Sequence, residues 1–490
     1  MNTIEKFDVK YERNLSMLMD FYELTMSNGY LINGLGDKIV YFDVFYRKNP
    51  DGAGFAIAAG LNQIVDYIKN LKFSKQDIEY LRGKEMFSEE FLEYLKNFKF
   101  SGSIYAIEEG TPVFPNEALI TVKAKVIEAQ LIETMLLITI NHQCLIATKT
   151  NRIVRAANGK PVLEFGARRA QGYDGAIYGA RAAYIAGAEG TATTLAEQMF
   201  NIKASGTMAH SWIQFFKDEF EAFKTYAETY PDACTLLVDT YNVLKSGVPN
   251  AIRVAKEVLE PMGKRLKGIR LDSGDLSYLS KKVRSMLNEA GLYDCKIVVS
   301  NSLDEYIIED LLLQGAEIDV FGVGERMITA KSDPVFGGVY KLVAVEEEGE
   351  ITPRIKLSEN TEKITNPGYK IPWRLYDRET GKAIADVITL AHEEIDDSKP
   401  YTIFDQEHIW KKKKLTNFVA KKLQVPVFID GKCVYKTPTL KESRDYCKQQ
   451  VDTLWDEVKR FTNSHKYYVD ISMELWHVKQ ELIQKYRVND

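Results

Sequence analysis

The sequence predicts a mixed α/β protein whose middle part is an irregular barrel of parallel strands, and three observations support this. From Leu163 to about Val345, short apolar runs alternate with longer segments of helical period. The last four runs start at residues 235, 268, 296 and 319, and the intervals of 33, 28 and 23 residues each fit one strand plus one crossover helix. Nearly every run ends in small and polar residues. The runs are LEFGARR (163–169), GTATT (190–194), ASGTMAH (204–210), TLLVDTYN (235–242), GIRLDSGD (268–275), KIVVSNSLDE (296–305) and DVFGVGER (319–326).

The polar residues at the strand ends favour a barrel over an open doubly wound sheet. In an open sheet, ligand-binding groups collect at one switch point, whereas in a barrel many strands contribute residues at their carboxyl ends. A barrel would therefore bring five charged or titratable side chains to one cavity: Arg168, His210, Asp239, Arg270 and Asp272.

We predict three domains, with boundaries near residues 150 and 350. Residues 1–150 mix helical and strand-like segments, as an α+β domain does, residues 151–349 form the barrel, and residues 350–490 are first β-rich and then, from 438, helical. In the barrel, Ser302 and Glu305 predict a capping box for a helix that Gly315 ends. Elsewhere we predict helices at 15–31 and 128–145 and strands at 38–47, 102–114, 353–357, 370–377 and 426–430.

The composition excludes several classes of protein. With 490 residues, 45% of them hydrophobic and 27% charged, the chain exceeds a single small module and is not disordered in composition. A net charge of -5 leaves no basic excess for nucleic acid. The amino terminus, MNTIEKFDVKYERN, lacks the pattern of a secretory signal, and no stretch approaches the ~20 apolar residues of a membrane span. Because the five cysteines are far apart and form no C-x-x-C pair, we expect a reducing cytoplasm. The lack of an apolar span predicts no membrane partner.

Two strand ends carry the main candidate residues for chemistry. His210 ends the segment GTMAH (206–210) and could act as a general base, as a nucleophile toward phosphate or as a buried structural histidine. Metal ligation is least favoured, because no second histidine lies at ligand spacing. Strand alternation places Arg270 and Asp272 on the same side of their strand, where they either neutralise each other or bind a charged ligand.

Glycines and aromatic residues supply further candidates. Gly322 and Gly324 would let backbone N–H groups approach a phosphate, although the pair could also simply form a turn. Phe165 beside Arg168 offers a flat apolar surface next to a cation, which suits a planar aromatic acid. Core packing is the alternative for Phe165 and for Tyr22 in the early helical segment.

Taken together, these segments resemble the nicotinate phosphoribosyltransferase family, and the resemblance extends over most of the chain. It implies a type II phosphoribosyltransferase barrel between an amino-terminal domain and a carboxy-terminal extension, and a homodimer with shared active sites. The matching segments are DFYELTM (20–26), EGTPVFPNEALI (109–120), EFGARRAQG (164–172), SGTMAHSW (205–212), LLVDTYN (236–242), IRLDSGDL (269–276), IVVSNSLDE (297–305) and GGVYKLV (337–343).

The resemblance also implies roles for individual residues. Nicotinate would stack between Phe165 and a Tyr22 supplied by the other subunit, and Arg270 would pair with its carboxylate or with the adjacent phosphate. Asp272 would hold ribose hydroxyls, Arg168 would bind phosphate, and Thr207 matches a ligand-binding position. His210 matches the histidine that ATP phosphorylates in this family. Relatives commonly have threonine where this chain has Glu325, so the contact expected there comes from the backbone of Gly322 and Gly324.

The expected reaction converts nicotinate, phosphoribosyl pyrophosphate (PRPP), ATP and water to nicotinate mononucleotide, ADP, phosphate and pyrophosphate, the first step of NAD salvage from nicotinate. The pyridine nitrogen already carries a lone pair, so the coupling step needs no general base. Mg²⁺ would neutralise the pyrophosphate through water, substrate and one or two carboxylates, which the sequence leaves unidentified.

Two other functions are compatible with the sequence. Nicotinamide phosphoribosyltransferases share the resemblance but place an acidic residue where this chain has Ala192. A catalytically silent binding protein could use the same fold. We expect such a protein to have lost at least one inward charge, and this chain keeps Arg168, His210, Arg270 and Asp272.

Overall fold

In the computed structural model, the described residues are 13–359, 363–406 and 408–486, and they divide into two compact units. Residues 146–334 form the parallel-sheet unit, and residues 13–145 together with 335–486 form the antiparallel-sheet unit. The first twelve residues, where we expect no secretory signal, lie outside the described residues. The division into three domains remains a prediction.

The first part of the chain combines helices with strands, as predicted for an α+β segment. Helix α1 begins at Phe21 rather than near residue 15, because Asp20 is extended and its backbone N–H bonds to Glu23. The elements are α1 (Phe21–Ile32), β1 (Ile39–Phe45), β2 (Ala56–Ile57), α2 (Leu61–Asn70), α3 (Lys75–Arg82), α4 (Glu89–Lys96), β3 (Ser103–Ile107), β4 (Pro112–Val113), β5 (Ile120–Lys125), α5 (Val126–Gln130) and α6 (Glu133–Ala156).

One helical stretch, residues 126–156, is long and apolar enough to cross a membrane by length and composition. The sequence-based expectation that no stretch approaches this length is therefore wrong. In the structure, 72% of its most apolar window is buried inside the protein, as in the core helix of a folded domain.

The middle of the chain alternates strands and helices in the predicted manner. The elements are β6 (Val162–Glu164), α7 (Gly172–Ile185), β7 (Gly190–Thr191), α8 (Thr194–Phe200), α9 (His210–Phe215), α10 (Glu219–Thr229), β8 (Thr235–Leu237), α11 (Val248–Val254), β9 (Gly268–Leu271), α12 (Leu276–Glu289), β10 (Lys296–Val299), α13 (Glu305–Leu313), β11 (Val320–Val323) and α14 (Glu325–Ile328).

Six of these strands form one parallel sheet, in the order β7-β6-β11-β10-β9-β8. The first strand, β6, pairs with the last, β11, which is the wrap-around pairing that a barrel needs. Beyond β7, Thr191 makes a single parallel bridge to Ala204. Within the described residues, no ladder joins the Ala204 segment to β8, so the ring of backbone hydrogen bonds is incomplete. The mixed α/β fold is confirmed, with its strand ladder open at this junction.

The predicted capping box at the start of helix α13 is wrong. Its N-cap is Asp304, whose side chain accepts a hydrogen bond from Ile307 N at 3.0 Å, rather than Ser302, which has a positive φ of 42°. The carboxylate of Glu305 is instead held by buried ion pairs with Lys149 and Arg152. The helix stops before Gly315, as predicted.

The last part of the chain returns to the antiparallel-sheet unit, where β12 pairs with β1 in a seven-stranded antiparallel sheet. The predicted strand at 353–357 is wrong beyond Pro353, where β13 ends, whereas the strand at 370–377 is confirmed. The elements are β12 (Val339–Glu347), β13 (Glu350–Pro353), β14 (Lys370–Asp377), β15 (Ala383–Leu390), β16 (Tyr401–Phe404), β17 (Lys412–Leu415), β18 (Phe418–Lys422), β19 (Gln424–Ile429), β20 (Lys432–Cys433), α15 (Leu440–Asp452), β21 (Val469–Ile471) and α16 (Met473–Tyr486).

Candidate active site

The candidate site lies at the carboxyl edge of the parallel sheet. Asp239, Asp272 and Ser300 follow the neighbouring strands β8, β9 and β10. Because the carboxyl ends of parallel strands lie at the same edge, these side chains come close together. Phe165 follows β6, and its backbone N–H bonds to Val323 O at 2.8 Å, so it lies at the same edge.

Arg270 is the centre of this group. Its Nε donates to Ser300 Oγ at 2.9 Å, and its Nη2 donates to Asp272 Oδ1 at 2.9 Å. Its Nη1 donates to Thr207 Oγ1 and to the Met208 carbonyl, both at 3.3 Å. The predicted same-side placement of Arg270 and Asp272 is confirmed. A guanidinium has five N–H donors, so these four bonds leave one N–H on Nη2 for a ligand.

Asp272 is ionised, and only one of its two carboxylate oxygens is bonded to neighbouring side chains. Burial alone would raise its pKa, but hydrogen bonds from Ser300 and Arg270 outweigh burial, and the pKa is lowered from its usual value. Both bonds end on Oδ1. Within residues 13–359, 363–406 and 408–486, Asp272 Oδ2 accepts no hydrogen bond, so this oxygen is open to a hydroxyl, a water or a cation.

His210 is the first residue of helix α9, and its side chain is 40% exposed. Its Nε2 lies 3.2 Å from Oδ1 of Asp239, whose side chain is only 1% exposed. The other oxygen of Asp239 accepts from Ser273 Oγ at 2.5 Å and from Asp272 N at 3.0 Å. An acceptor at this position assigns the imidazole proton to Nε2 and leaves the lone pair on Nδ1.

Phe165 and the two glycines form the flat side of the site. The guanidinium carbon of Arg270 lies 5.9 Å from the Phe165 ring centroid. A Cβ at Gly322 would lie 2.6 Å from two carbons of that ring, and a Cβ at Gly324 would lie 3.0 Å from the Phe165 carbonyl oxygen. The absence of side chains at these positions therefore lets the Phe165 segment pack against β11.

Two predicted residues lie outside this cluster of contacts. Arg168 is exposed on the 3-10 turn Ala167–Arg169. Tyr22 lies on α1, in the antiparallel-sheet unit, with 44% of its surface exposed. Burial and the neighbouring carboxylate of Glu133 raise the pKa of Tyr22. In the described part of the chain, no group of three or more His, Cys, Asp and Glu residues could hold a metal ion.

Two contributors, Ser300 and Glu164, and one contact, that of Asp239 with His210, were not predicted from the sequence. Ser300 was visible only as a polar strand end, and nothing in the local pattern signalled its bond to Arg270. Asp239 was expected at the cavity, but its pairing with His210 was not. Glu164 is fully buried and accepts from Thr191 Oγ1 at 2.6 Å and from Gly166 N, which fixes the chain on both sides of Phe165.

Profiles for three parts of one family match this chain: the nicotinate phosphoribosyltransferase (NAPRTase) N-terminal domain at residues 17–141, the NAPRTase family at 161–365 and the NAPRTase C-terminal domain at 369–479. The nicotinate phosphoribosyltransferase of Bacillus subtilis is 45% identical over 474 residues, covering 96% of each chain. The chain belongs to the nicotinate phosphoribosyltransferase family.

Other nicotinate phosphoribosyltransferase family members and a related enzyme extend this result. The Homo sapiens nicotinate phosphoribosyltransferase is 30% identical over 522 residues, covering 94% of this chain and 95% of the human one. The crystal structure of the human nicotinic acid phosphoribosyltransferase matches with a TM-score of 0.85 and 28% identity, covering 95% of this chain and 99% of the other. The crystal structure of nicotinate-nucleotide pyrophosphorylase from Pyrococcus furiosus matches with a TM-score of 0.67 and 25% identity, covering 90% of this chain and 96% of the other.

Proposed function

We propose that this protein joins nicotinate to PRPP, forms nicotinate mononucleotide and pyrophosphate, and uses ATP through a phosphohistidine at His210. Membership of the family supports the reaction class. The observation that carries the site is Arg270, which lies next to the Phe165 ring and contacts Asp272. This arrangement suits a flat acid bound beside a ribose.

Nicotinate is recognised by shape and charge. Its ring packs on Phe165, and its carboxylate accepts the remaining Nη2 N–H of Arg270. Because a single N–H is open, Arg270 positions the carboxylate without giving up its bonds to the protein. Tyr22 of the partner subunit closes the stack in the homodimer that the family resemblance implies. Exposure of Tyr22 is compatible with this role.

The coupling step depends on orientation and electrostatics. The pyridine nitrogen attacks C1 of the ribosyl group with its own lone pair, the bond from C1 to the pyrophosphate oxygen breaks, and pyrophosphate leaves. Asp272 stays ionised, so its open Oδ2 can accept hydrogen bonds from ribose hydroxyls and stabilise the positive charge that develops on the sugar.

The phosphate groups need donors and a counterion. Arg168 is exposed and available for a phosphate, and Thr207 contributes its hydroxyl. Gly322 and Gly324 contribute backbone N–H groups at the same sheet edge. Mg²⁺ would neutralise the pyrophosphate charge, and the open oxygen of Asp272 fits the expected binding through one carboxylate, waters and substrate.

ATP coupling uses the free nitrogen of His210. Since Nε2–H donates to Asp239, Nδ1 attacks the γ-phosphorus, an N–P bond forms, and the P–O bond to ADP breaks. Water later releases phosphate and restores the imidazole. A phosphate at this position changes the charge of the site and hence its affinity for PRPP and product. We place the enzyme in a reducing cytoplasm, because its five cysteines form no disulfide in the described part of the chain.

A substrate comparison tests this proposal against its rivals. We expect PRPP-dependent pyrophosphate release with nicotinate to exceed release with nicotinamide or quinolinate by at least ~100-fold, because Arg270 pairs with one carboxylate and residue 192, at the same sheet edge, is alanine. Faster turnover with nicotinamide would favour the nicotinamide enzyme. No release with any of the three compounds, with or without ATP, would favour a silent binding protein.

Gly322→Ala is expected to raise KM for nicotinate by about tenfold or more, because the added methyl must displace the Phe165 ring that lies 2.6 Å from its position. Steady-state kinetics with saturating PRPP would measure this. Gly291→Ala is the control, since its added Cβ has nothing within 4 Å and only backbone strain, at φ +74°, is introduced. An unchanged KM in Gly322→Ala, with the fold retained by circular dichroism, would argue against nicotinate packing on Phe165.

A further inference from the structure

Glu164 is a buried acid next to Phe165, at the end of strand β6. One of its carboxyl oxygens, Oε1, accepts a hydrogen bond from Gly166 N, on the other side of Phe165. The second oxygen, Oε2, accepts from the Thr191 hydroxyl at 2.6 Å. Thr191 is also fully buried and lies on the neighbouring strand β7. The Glu164 side chain therefore connects the Phe165 turn, residues 164–166, with β7.

Thr191 also connects β7 with the His210 segment, residues 203–210. Its backbone N–H donates to Lys203 O at 3.1 Å, and its carbonyl oxygen accepts from Ser205 N at 2.8 Å. One residue thus bonds to the Phe165 turn through its hydroxyl and to the His210 segment through its backbone.

The position of this segment depends on few contacts. Residues 205–209, all in the described part of the chain, belong to no helix or strand. Tyr226 Oη donates to Thr207 O at 3.2 Å, and Arg270 Nη1 donates to Thr207 Oγ1 at 3.3 Å. Among the described residues, no strand ladder joins the segment to β8. Its backbone is paired on the β7 side, through Thr191, and its opposite end is held by side chains.

We propose that Thr191 and Glu164 are positioning residues that hold the Phe165 turn and the His210 segment at a fixed distance from each other. The role rests on the proposed function, in which Phe165 carries nicotinate and His210 takes up phosphate. Burial raises the pKa of Glu164, and the two hydrogen bonds that its carboxyl group accepts oppose this shift. Without the Thr191 hydroxyl, the buried carboxyl group must move or take up a proton, and both parts of the site shift.

Thr191→Val tests this role, because valine keeps the shape of threonine but has no hydroxyl. We expect KM for nicotinate to rise about tenfold and the rate constant for labelling by γ-labelled ATP to fall about tenfold, the effect of losing one charge-assisted hydrogen bond. A loss of folded enzyme alone would lower kcat and leave both KM and that rate constant unchanged. Thr191→Ser, which keeps the hydroxyl, should keep both values within about twofold of the parent.

Thr193→Val is the matched control. Thr193 follows Thr191 by two residues, and in the part of the chain that the structure describes its side-chain oxygen is buried and makes no hydrogen bond. Removing this hydroxyl should change KM and the labelling rate constant by less than about twofold. If Thr191→Val behaves like Thr193→Val, the positioning role is overturned.

Glu164→Gln shows whether the two side chains act as one unit, and it carries the test if Thr191→Val does not fold. Glutamine offers one side-chain acceptor oxygen where glutamate offers two, so the same changes are expected. In the double variant Glu164→Gln/Thr191→Val, a total change of about tenfold supports the pair, and about 100-fold, the product of two independent effects, contradicts it. A parent without turnover and without labelling would contradict the proposed function itself, whereas an active parent whose variants are unchanged contradicts the positioning role alone.

Discussion

Arg270→Lys is expected to lower kcat/KM for nicotinate by roughly 10³-fold, because one guanidinium holds four acceptors and also faces the substrate carboxylate. A lysine ammonium has three donors on a flexible stem, too few for the four acceptors that Arg270 holds and the substrate carboxylate. Asp272 would then be free to turn away from the ribose. The loss should appear in kcat as well as in KM, since Asp272 acts on the charge that develops during transfer.

Arg265→Lys provides the control for the Arg270 prediction. Arg265 lies just before β9 and pairs with Asp294 at the surface, with both side chains about half exposed. Exposed pairs of this kind contribute about 0.2–1 kcal/mol to the free energy of unfolding. An energy of this size corresponds to less than about fivefold in rate, so turnover should change by no more than that. If Arg270→Lys keeps kcat/KM within tenfold of the parent while remaining folded, Arg270 does not organise the site as proposed.

The strand-end pattern predicted part of the site, namely that His210, Asp239, Arg270 and Asp272 come together, whereas Arg168 lies outside their contacts. Arg270 and Asp272 are two positions apart on a strand, so alternation alone put them on one side, and their 2.9 Å contact agrees. The partners from other strands could not be predicted in this way. Ser300 and Thr207 are 30 and 63 residues from Arg270, and the order in which strands pair selects them.

The cap of helix α13 and the pairing of β1 with β12 could not be predicted either, for physical reasons. Ser302 and Asp304 are both good capping residues, and local pattern could not separate them; the buried cations Lys149 and Arg152 take the Glu305 carboxylate that a box beginning at Ser302 would have needed. The pairing of β1 with β12 joins residues about 300 positions apart, and no periodic signal within either strand reports it.

His210→Ala is expected to abolish labelling of the protein by γ-labelled ATP and the stimulation of synthesis by ATP. The imidazole removed is 40% exposed, and its Nδ1 carries the lone pair because Nε2 bonds to Asp239. The label on the parent protein should be lost in acid and kept in base, as expected for a bond between phosphorus and an imidazole nitrogen. Phosphorus NMR would then place the phosphate on Nδ1.

Two further variants separate the chemistry of His210 from a general effect of losing a histidine. His392→Ala is the control, because His392 is exposed and pairs with Glu474 at the surface, so labelling should be unchanged. Asp239→Asn should lower the rate of labelling by about 10- to 100-fold without abolishing it, since an amide no longer selects the tautomer with its lone pair on Nδ1. Full labelling of His210→Ala would place the phosphate on another residue and remove the link between this imidazole and ATP. If Asp239→Asn is fully labelled while His210→Ala is not, His210 is still the nucleophile. The Asp239 carboxylate is then not the group that orients it.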